Sequence, residues 1–195
     1  MTKKSTEVRQ EQIKKAVLEI ISTEGLHNLS TRNLAKKVGI SDGAIFRHFK
    51  TKRDIILGIM EDVKSGLMEE LRQVALSEEN SDKKLFKFLC THVKYLIKNK
   101  GITILLFSEA AHMNDKELKS NLYNILSGQK VLIERIVKEG IKKGTWNKKA
   151  IPKDFAMIYM GIPITLNIEL ILNPDNIVLE NFCKRMFKLI SEILK

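Results

Sequence analysis

The placement of proline constrains this chain most. Pro152, Pro163 and Pro174 all lie in the last quarter of 195 residues, so residues 1–151 run without the strongest helix breaker. Apolar spacing fills that stretch with helices. Ile13, Ala16, Val17, Ile20 and Ile21 form one stripe of an amphipathic helix from about Glu7 to Glu24, and Gly25 follows where a chain leaves a helix. Ser30 can cap a second helix with Leu34, Ala35 and Val38 on one face, and Gly39 permits a sharp exit. Ser41 can cap a third, in which Ile45 and Phe49 lie one turn apart as core residues. Two short helices around a glycine turn make a helix-turn-helix.

From Lys52 one stripe runs through Ile55, Ile56, Ile59, Val63, Leu67, Leu71 and Val74, long enough to bridge two domains. Residues 78–82 interrupt it. Further helices are expected from Leu85 to Gly101, over about Ile102–Met113 and over about Asp115–Lys143. Pro152 suits the first turn of the next helix. Ile162, Ile164, Leu166, Ile168 and Leu170 alternate with the period of a strand, but no second strand-like segment exists to pair with them. A buried helix bent at Pro163 is therefore expected, then a last helix from about Asp175 to Leu194. The fold class is all-α: an N-terminal three-helix helix-turn-helix domain over 1–52 and a larger helical ligand-binding and dimerisation domain over 53–195.

Hydrophobic residues make up 44 % of the chain, enough to build a core and unlike a disordered sequence. The net charge of +11 is a surplus to be tolerated by, or used on, an anionic partner, with nucleic acid, acidic membrane and anionic metabolite all open on charge alone, and twelve basic residues against six acidic ones fall within residues 1–55. Cys90 and Cys183 form no CxxC or zinc-type spacing, which argues against a disulfide framework and for a reducing, cytoplasmic location. They read as core thiols, with redox sensing as the alternative. The N-terminus is polar, unlike a signal peptide. The apolar stretch Phe155–Leu172 contains Pro163, Asn167 and Glu169, which a lipid-facing helix would not carry, so no membrane partner is expected.

The segment Leu29–Lys52 concentrates the chemistry that duplex DNA requires: a short capped helix able to enter a major groove, small residues that allow close approach, and cations for phosphates. It resembles the DNA-binding domain of the TetR family of transcriptional regulators. The resemblance rests on the threonine-led helix with Ala35, the turn Val38-Gly39-Ile40-Ser41, Gly43, and the run Phe46-Arg47-His48-Phe49 followed by Lys52. It covers roughly Glu7 to Met60, with the remainder agreeing in length and helical character. It implies a three-helix headpiece, a six-helix regulatory domain, a homodimer through the last two helices, and a ligand that alters DNA affinity.

By position, the resemblance assigns Thr31, Arg32, Ser41, Arg47, His48 and Lys52 to phosphates, and Asp42, Gly43 and Ala44 to base edges. Phe46 stands where the family usually has tyrosine, removing a hydroxyl donor to phosphate. Asp42 stands where lysine or a neutral polar residue is common; it can accept from cytosine N4 and also repels phosphate. The expected function is a repressor released from palindromic double-stranded operator DNA by an apolar or amphipathic small molecule, acting as a homodimer through 152–195. Candidate pocket residues are Tyr95, Phe107, Met113, Tyr123, Met157 and Met160, although aromatic and methionine side chains at helical spacing more often fill a core.

Two rivals remain at this stage. One is a nucleoid or chromosome-organising protein on the same DNA-binding domain; the other is a helical metabolite carrier or metalloenzyme. Glu109-x-x-His112 has the spacing of a di-iron helix, and Glu24-x-x-His27 repeats it, but Gly25 ends the second helix, and a carboxylate-bridged site needs two such helical motifs with two further carboxylates facing them. No Gly-rich phosphate loop, nucleophile elbow or paired-acid spacing appears, so no catalysis, metal or cofactor is expected.

Overall fold

Side chains and glycines punctuate the first helices. In a computed structural model, which describes residues 5–112 and 114–195, α1 (Thr6–Glu24) starts at Ser5, whose hydroxyl accepts from the Val8 N–H, and ends at Gly25. α2 (Thr31–Val38) starts at Ser30, bonded by the Asn33 N–H, and leaves through Gly39 in the left-handed region. α3 (Asp42–His48) follows Ser41, whose hydroxyl makes no capping bond, unlike the cap expected from the sequence. α4 (Lys52–Asp62) opens with a reciprocal capping box between Thr51 and Asp54. Buried Ile13, Val17, Ile20, Leu34, Ala35, Ile45, Phe49 and Ile56 hold these helices together.

The long stripe from Lys52 is interrupted in a way periodicity does not reveal. α4 passes into a π turn at Val63–Met68 and continues as α5 (Glu69–Leu76). The spacing of Val63, Leu67 and Leu71 survives this wide turn, so the sequence shows a helix and hides the bulge.

α6 (Ser81–Lys98), α7 (Ile102–His112), α8 (Lys116–Lys142), α9 (Pro152–Leu172) and α10 (Phe182–Ile193) complete the chain. With residues 52–76 counted as one run, the described residues form three helices and then six, and no strand. The period-two stretch is helical, with Pro152 in the first turn and Pro163 inside the helix without ending it. α9 is long and apolar enough to cross a membrane, but it packs on α8 and buries Phe155, Tyr159, Leu166 and Leu170. Its one fully buried amide explains its place there. Asn167 accepts from the Thr103 N–H at 3.0 Å and donates to the Leu96 carbonyl at 3.0 Å, satisfying both ends of the α6–α7 junction.

The last helix begins later than expected. A short 3₁₀ turn at Pro174–Asn176 precedes a loop, and Asn181 adopts φ of 52° before α10 starts at Phe182. The Arg185 guanidinium bonds the Val178 and Glu180 carbonyls and holds this segment as a turn.

Two tight approaches depend on missing side chains. A Cβ on Gly140 would lie 2.2 Å from the Trp146 ring, which is pinned by its Nε1–H bond to Asp82 at 3.1 Å. A Cβ on Gly101, at φ of 79°, would lie 2.9 Å from the Ile21 side chain, where α1 meets the start of α7. Gly140→Ala is expected to lower unfolding stability by about 2–3 kcal/mol through this overpacking. Gly144→Ala, at a left-handed position with open space around it, should lose only about 1 kcal/mol. Urea unfolding of both variants checks the difference.

Candidate functional site

α3 presents a narrow face to solvent. Ile45 is buried against the headpiece core, which turns Asp42, Gly43, Phe46 and Arg47 outward; Phe46 is 51 % exposed. Ser41 is exposed at the helix start, and Ala44 is half-buried. Arg32 is exposed in the first turn of α2, beside half-buried Thr31. His48 is half-buried at the end of α3, with Nδ1 unpartnered and its carbonyl accepting from Gln10 Nε2 at 3.0 Å. Of the sequence-selected set, Thr31, Phe46 and Lys52 border one small hollow between α2, α3 and α4.

Gly43 is informative. Nothing lies within 4 Å of the position a Cβ would take, and its backbone is helical, so the protein's own packing does not require glycine there. A helical glycine costs about 1 kcal/mol relative to alanine. Close approach of an external surface would supply the reason for it.

Charge on this side is largely uncommitted. Among the described residues Arg32, Lys36, Arg47 and Lys50 have no acidic partner, whereas Lys37 is paired with Glu19 at 2.8 Å. Lys52 is placed differently from the others. Its Nζ lies 2.7 Å from the carboxylate of Glu109, a buried acid on α7, so in this conformation it ties the headpiece to the regulatory helices. Arg53 beside it bonds Asp115 at 2.5 Å and also Glu117. Glu109 belongs to the Glu-x-x-His spacing; no group of three metal-ligating side chains occurs among the described residues.

The regulatory helices form a half-open apolar cavity of about 50 Å³ bordered by the π turn, α6, α7, α8 and α9. Tyr95, Phe107 and Met160 line it. Tyr123 instead edges a shallow apolar surface depression and is 67 % exposed, and Met157 is 63 % exposed on the outer side of α9. Met113 lies outside the described residues. Sequence reasoning missed two polar members of the wall, His92 and Gln129. Both are buried, with His92 Nδ1 and Gln129 Oε1 lacking partners. Burial drives the His92 pKa down to about 3, so its ring is neutral at physiological pH.

A larger cleft of about 600 Å³ adjoins this cavity, sharing Tyr95 and Ile102 with it. Lys14, Lys15, Lys94 and Lys98 enter its wall from α1 and α6, opposed by Glu11, Asp62 and Glu70. No sequence spacing links residues 14–15 with 94–98; only the packing of α1 on the regulatory half does.

A helix-turn-helix headpiece with an open face on α3, set on a helical bundle with a half-open apolar cavity, is the build of a two-part regulatory protein. The chain belongs to the TetR family of bacterial regulatory proteins: that family's N-terminal profile matches residues 13–59, and the profile of the YsiA-like protein C-terminal region matches residues 60–193. Among curated relatives, the nucleoid occlusion factor SlmA of Actinobacillus pleuropneumoniae serotype 5b is 28 % identical over 129 residues. That alignment spans 66 % of this chain and 64 % of the relative's length. The fatty acid metabolism regulator protein of Bacillus subtilis is 27 % identical over 133 residues, 68 % of each chain. Two solved structures share the fold. FadR from Bacillus subtilis in complex with stearoyl-CoA has a TM-score of 0.73 at 20 % identity, covering 95 % of this chain and 99 % of that one. A tetR-family regulatory protein from Rhodococcus RHA1 has a TM-score of 0.79 at 16 % identity, covering 95 % and 96 %.

The Arg53 ion pair gives the site a titration signature. Hydrogen bonds from Arg53 first, and from the Leu118 and Glu117 N–H groups, pull the Asp115 pKa down to about 2. A lowered folded-state pKa contributes stability above the ordinary value near 3.8 and loses it as pH falls through about 2. Carboxyl NMR should find Asp115 titrating near pH 2. In Arg53→Met the midpoint should rise yet stay below 3.8, because the two backbone bonds remain.

Proposed function

We propose that this chain is a ligand-responsive DNA-binding transcriptional regulator, a repressor that a small molecule releases from a palindromic operator. The observation that carries this reading is the open face of α3, where Gly43 has no packing reason to be glycine, in a headpiece whose Arg32, Lys36, Arg47 and Lys50 have no acidic partner among the described residues. Residues 1–52 bind DNA, and residues 53–195 receive the ligand and dimerise. Thr31, Arg32, Ser41, Arg47 and His48 hold phosphates; Asp42, Gly43 and Ala44 meet base edges, with Phe46 beside them. Lys52 joins the phosphate set only when it leaves Glu109. The protein works where its DNA is, in the cytoplasm.

The homodimer forms through the outer faces of α9 and α10, where Met157, Ile158, Leu172, Leu189 and Ile193 are exposed apolar side chains. Leu166 and Leu170, which lie within the 152–195 stretch expected to dimerise, are buried within the protomer at 4 % exposure each, so charge there would unfold the bundle and say nothing about dimerisation.

The effector is amphipathic. The cavity is small beside the roughly 150 Å³ that accommodates benzene, so an apolar tail enters by parting the helices around it. An anionic head sits in the lysine-lined cleft next door. Stearoyl-CoA, bound by the Bacillus subtilis FadR of similar fold, has this division of tail and head, and a long-chain acyl-CoA is the effector class proposed for this chain.

The similarity to nucleoid occlusion factors supports a second reading, binding at many chromosomal sites without promoter control. Sequencing of genomic DNA captured by the protein separates them: a few promoter palindromes that stearoyl-CoA releases support the regulator, and many dispersed sites indifferent to it support the second. On the selected duplex, Arg47→Ala should reduce the slope of log affinity against log salt by about one and weaken all sequences alike. Gly43→Leu should abolish specific binding and keep the salt-sensitive background.

A further inference from the structure

The chain's two cysteines, distant in sequence, are brought opposite each other between α6 and α10. Three layers set the register of this helix pair. Asp82, near the start of α6, bonds the Trp146 indole, and the neighbouring Asn147 N–H donates to the Leu194 carbonyl beyond the end of α10 at 2.7 Å. One turn further along α6, Phe86 packs edge-on against Phe187 with ring centroids 5.4 Å apart. The helices are therefore antiparallel, and a step of four residues up α6 and four down α10 arrives at Cys90 and Cys183. The thiols act on each other as that register requires: burial first, and then the neighbouring Cys183 thiol, push the Cys90 thiol up to about 12. Both thiols also act on the buried Tyr159 hydroxyl, which has no partner, so the three groups share one neighbourhood.

Two packed helices lie about 8–10 Å apart and carry their Cα atoms at a radius of about 2.3 Å, which brings facing Cα atoms within about 5 Å. A disulfide spans a Cα separation of about 4.4–6.8 Å. Both cysteines are half-buried, so neither is sealed from solvent.

We propose that Cys90 and Cys183 are a reversible redox site that closes to an intramolecular disulfide stapling α6 to α10. The co-reactant class is a low-molecular-weight disulfide such as oxidised glutathione. The Cys183 thiolate attacks one glutathione sulfur; the glutathione S–S bond breaks, a protein–glutathione disulfide forms, and one glutathione thiolate leaves. Cys90 then gives its proton to solvent and its sulfur attacks that of Cys183, expelling the second glutathione thiolate. Two protein thiols are oxidised by two electrons, and one glutathione disulfide is reduced to two glutathione thiols, which take up the two protons. The staple fixes α6, which supplies His92, Tyr95 and Leu96 to the cavity wall, against α10, which carries Leu189 and Ile193.

The test uses the full chain equilibrated in glutathione buffers of graded oxidised-to-reduced ratio, quenched in acid, and read by thiol counting, intact mass and non-reducing gel mobility. The site predicts loss of both thiols together, a mass two protons lower with no adduct, and faster gel migration from the closed loop of roughly 90 residues. The melting temperature should rise by on the order of 5–10 °C and fall back on reduction. Cys90→Ser and Cys183→Ser should each keep a glutathione adduct and show neither the fast band nor the rise. Wild-type protein ending as a stable double glutathione adduct, as a covalent dimer, or with two free thiols in the most oxidising buffer would overturn the proposal. Because no DNA or effector enters the assay, it stands or falls apart from the regulatory reading.

Discussion

The ion pair between Lys52 and Glu109 sets how the two halves of this protein meet. Glu109 is a carboxylate 6 % exposed on an otherwise apolar helix, and burying such a charge is tolerable only with a partner in place. Its partner is the first residue of α4, four residues after the end of α3. Arg53 adds a second link to Asp115 and Glu117 at the start of α8, and Gly101 lets α1 close on the other end of α7. The headpiece is thereby clamped at both ends of one eleven-residue helix.

The same helix faces the cavity. Leu106 and Phe107 line the cavity while Glu109, two residues on, points back to the headpiece. An apolar tail that parts α6, α7 and α8 must displace α7, and the position of Glu109 moves with it. In the proposed cycle this is where effector energy is converted: the effector favours the arrangement that holds Lys52 or tilts α3, and DNA favours the arrangement in which Lys52 reaches phosphate. The π turn at Val63–Met68 borders the cavity on the same long helical run that begins with Lys52, a second mechanical connection between the two sites.

The sequence was legible wherever a local rule decides the outcome. Serine positions, glycine exits and four-residue stripes placed α1, α2 and the starts of α3 and α4 within a residue or two, and the absence of a partner strand settled residues 162–170 as helix. The exposure of Gly43 and Arg47 followed because Ile45 and Phe49 turn them outward. What stayed hidden depends on contacts between distant segments. Glu109 looked like half of a metal motif, and only the fold sets Lys52 beside it. The lysines of the cleft come from α1 and α6, and His92 and Gln129 are ordinary helical positions until α6 and α8 pack around a void. The late start of α10 needed Arg185 to reach back to two carbonyls. Tyr123 and Met157 were chosen for side-chain type alone, and type does not say which face of a helix looks inward.

The role of α7 as the lever between cavity and headpiece is tested most directly by measuring duplex affinity with and without saturating stearoyl-CoA for wild type and Glu109→Gln, alongside stearoyl-CoA affinity by calorimetry. If α7 acts through Glu109, both proteins bind stearoyl-CoA alike, wild type loses duplex affinity by about tenfold or more, and the variant's loss shrinks towards none. An undiminished loss in Glu109→Gln, or wild-type duplex affinity unmoved by bound stearoyl-CoA, would contradict it.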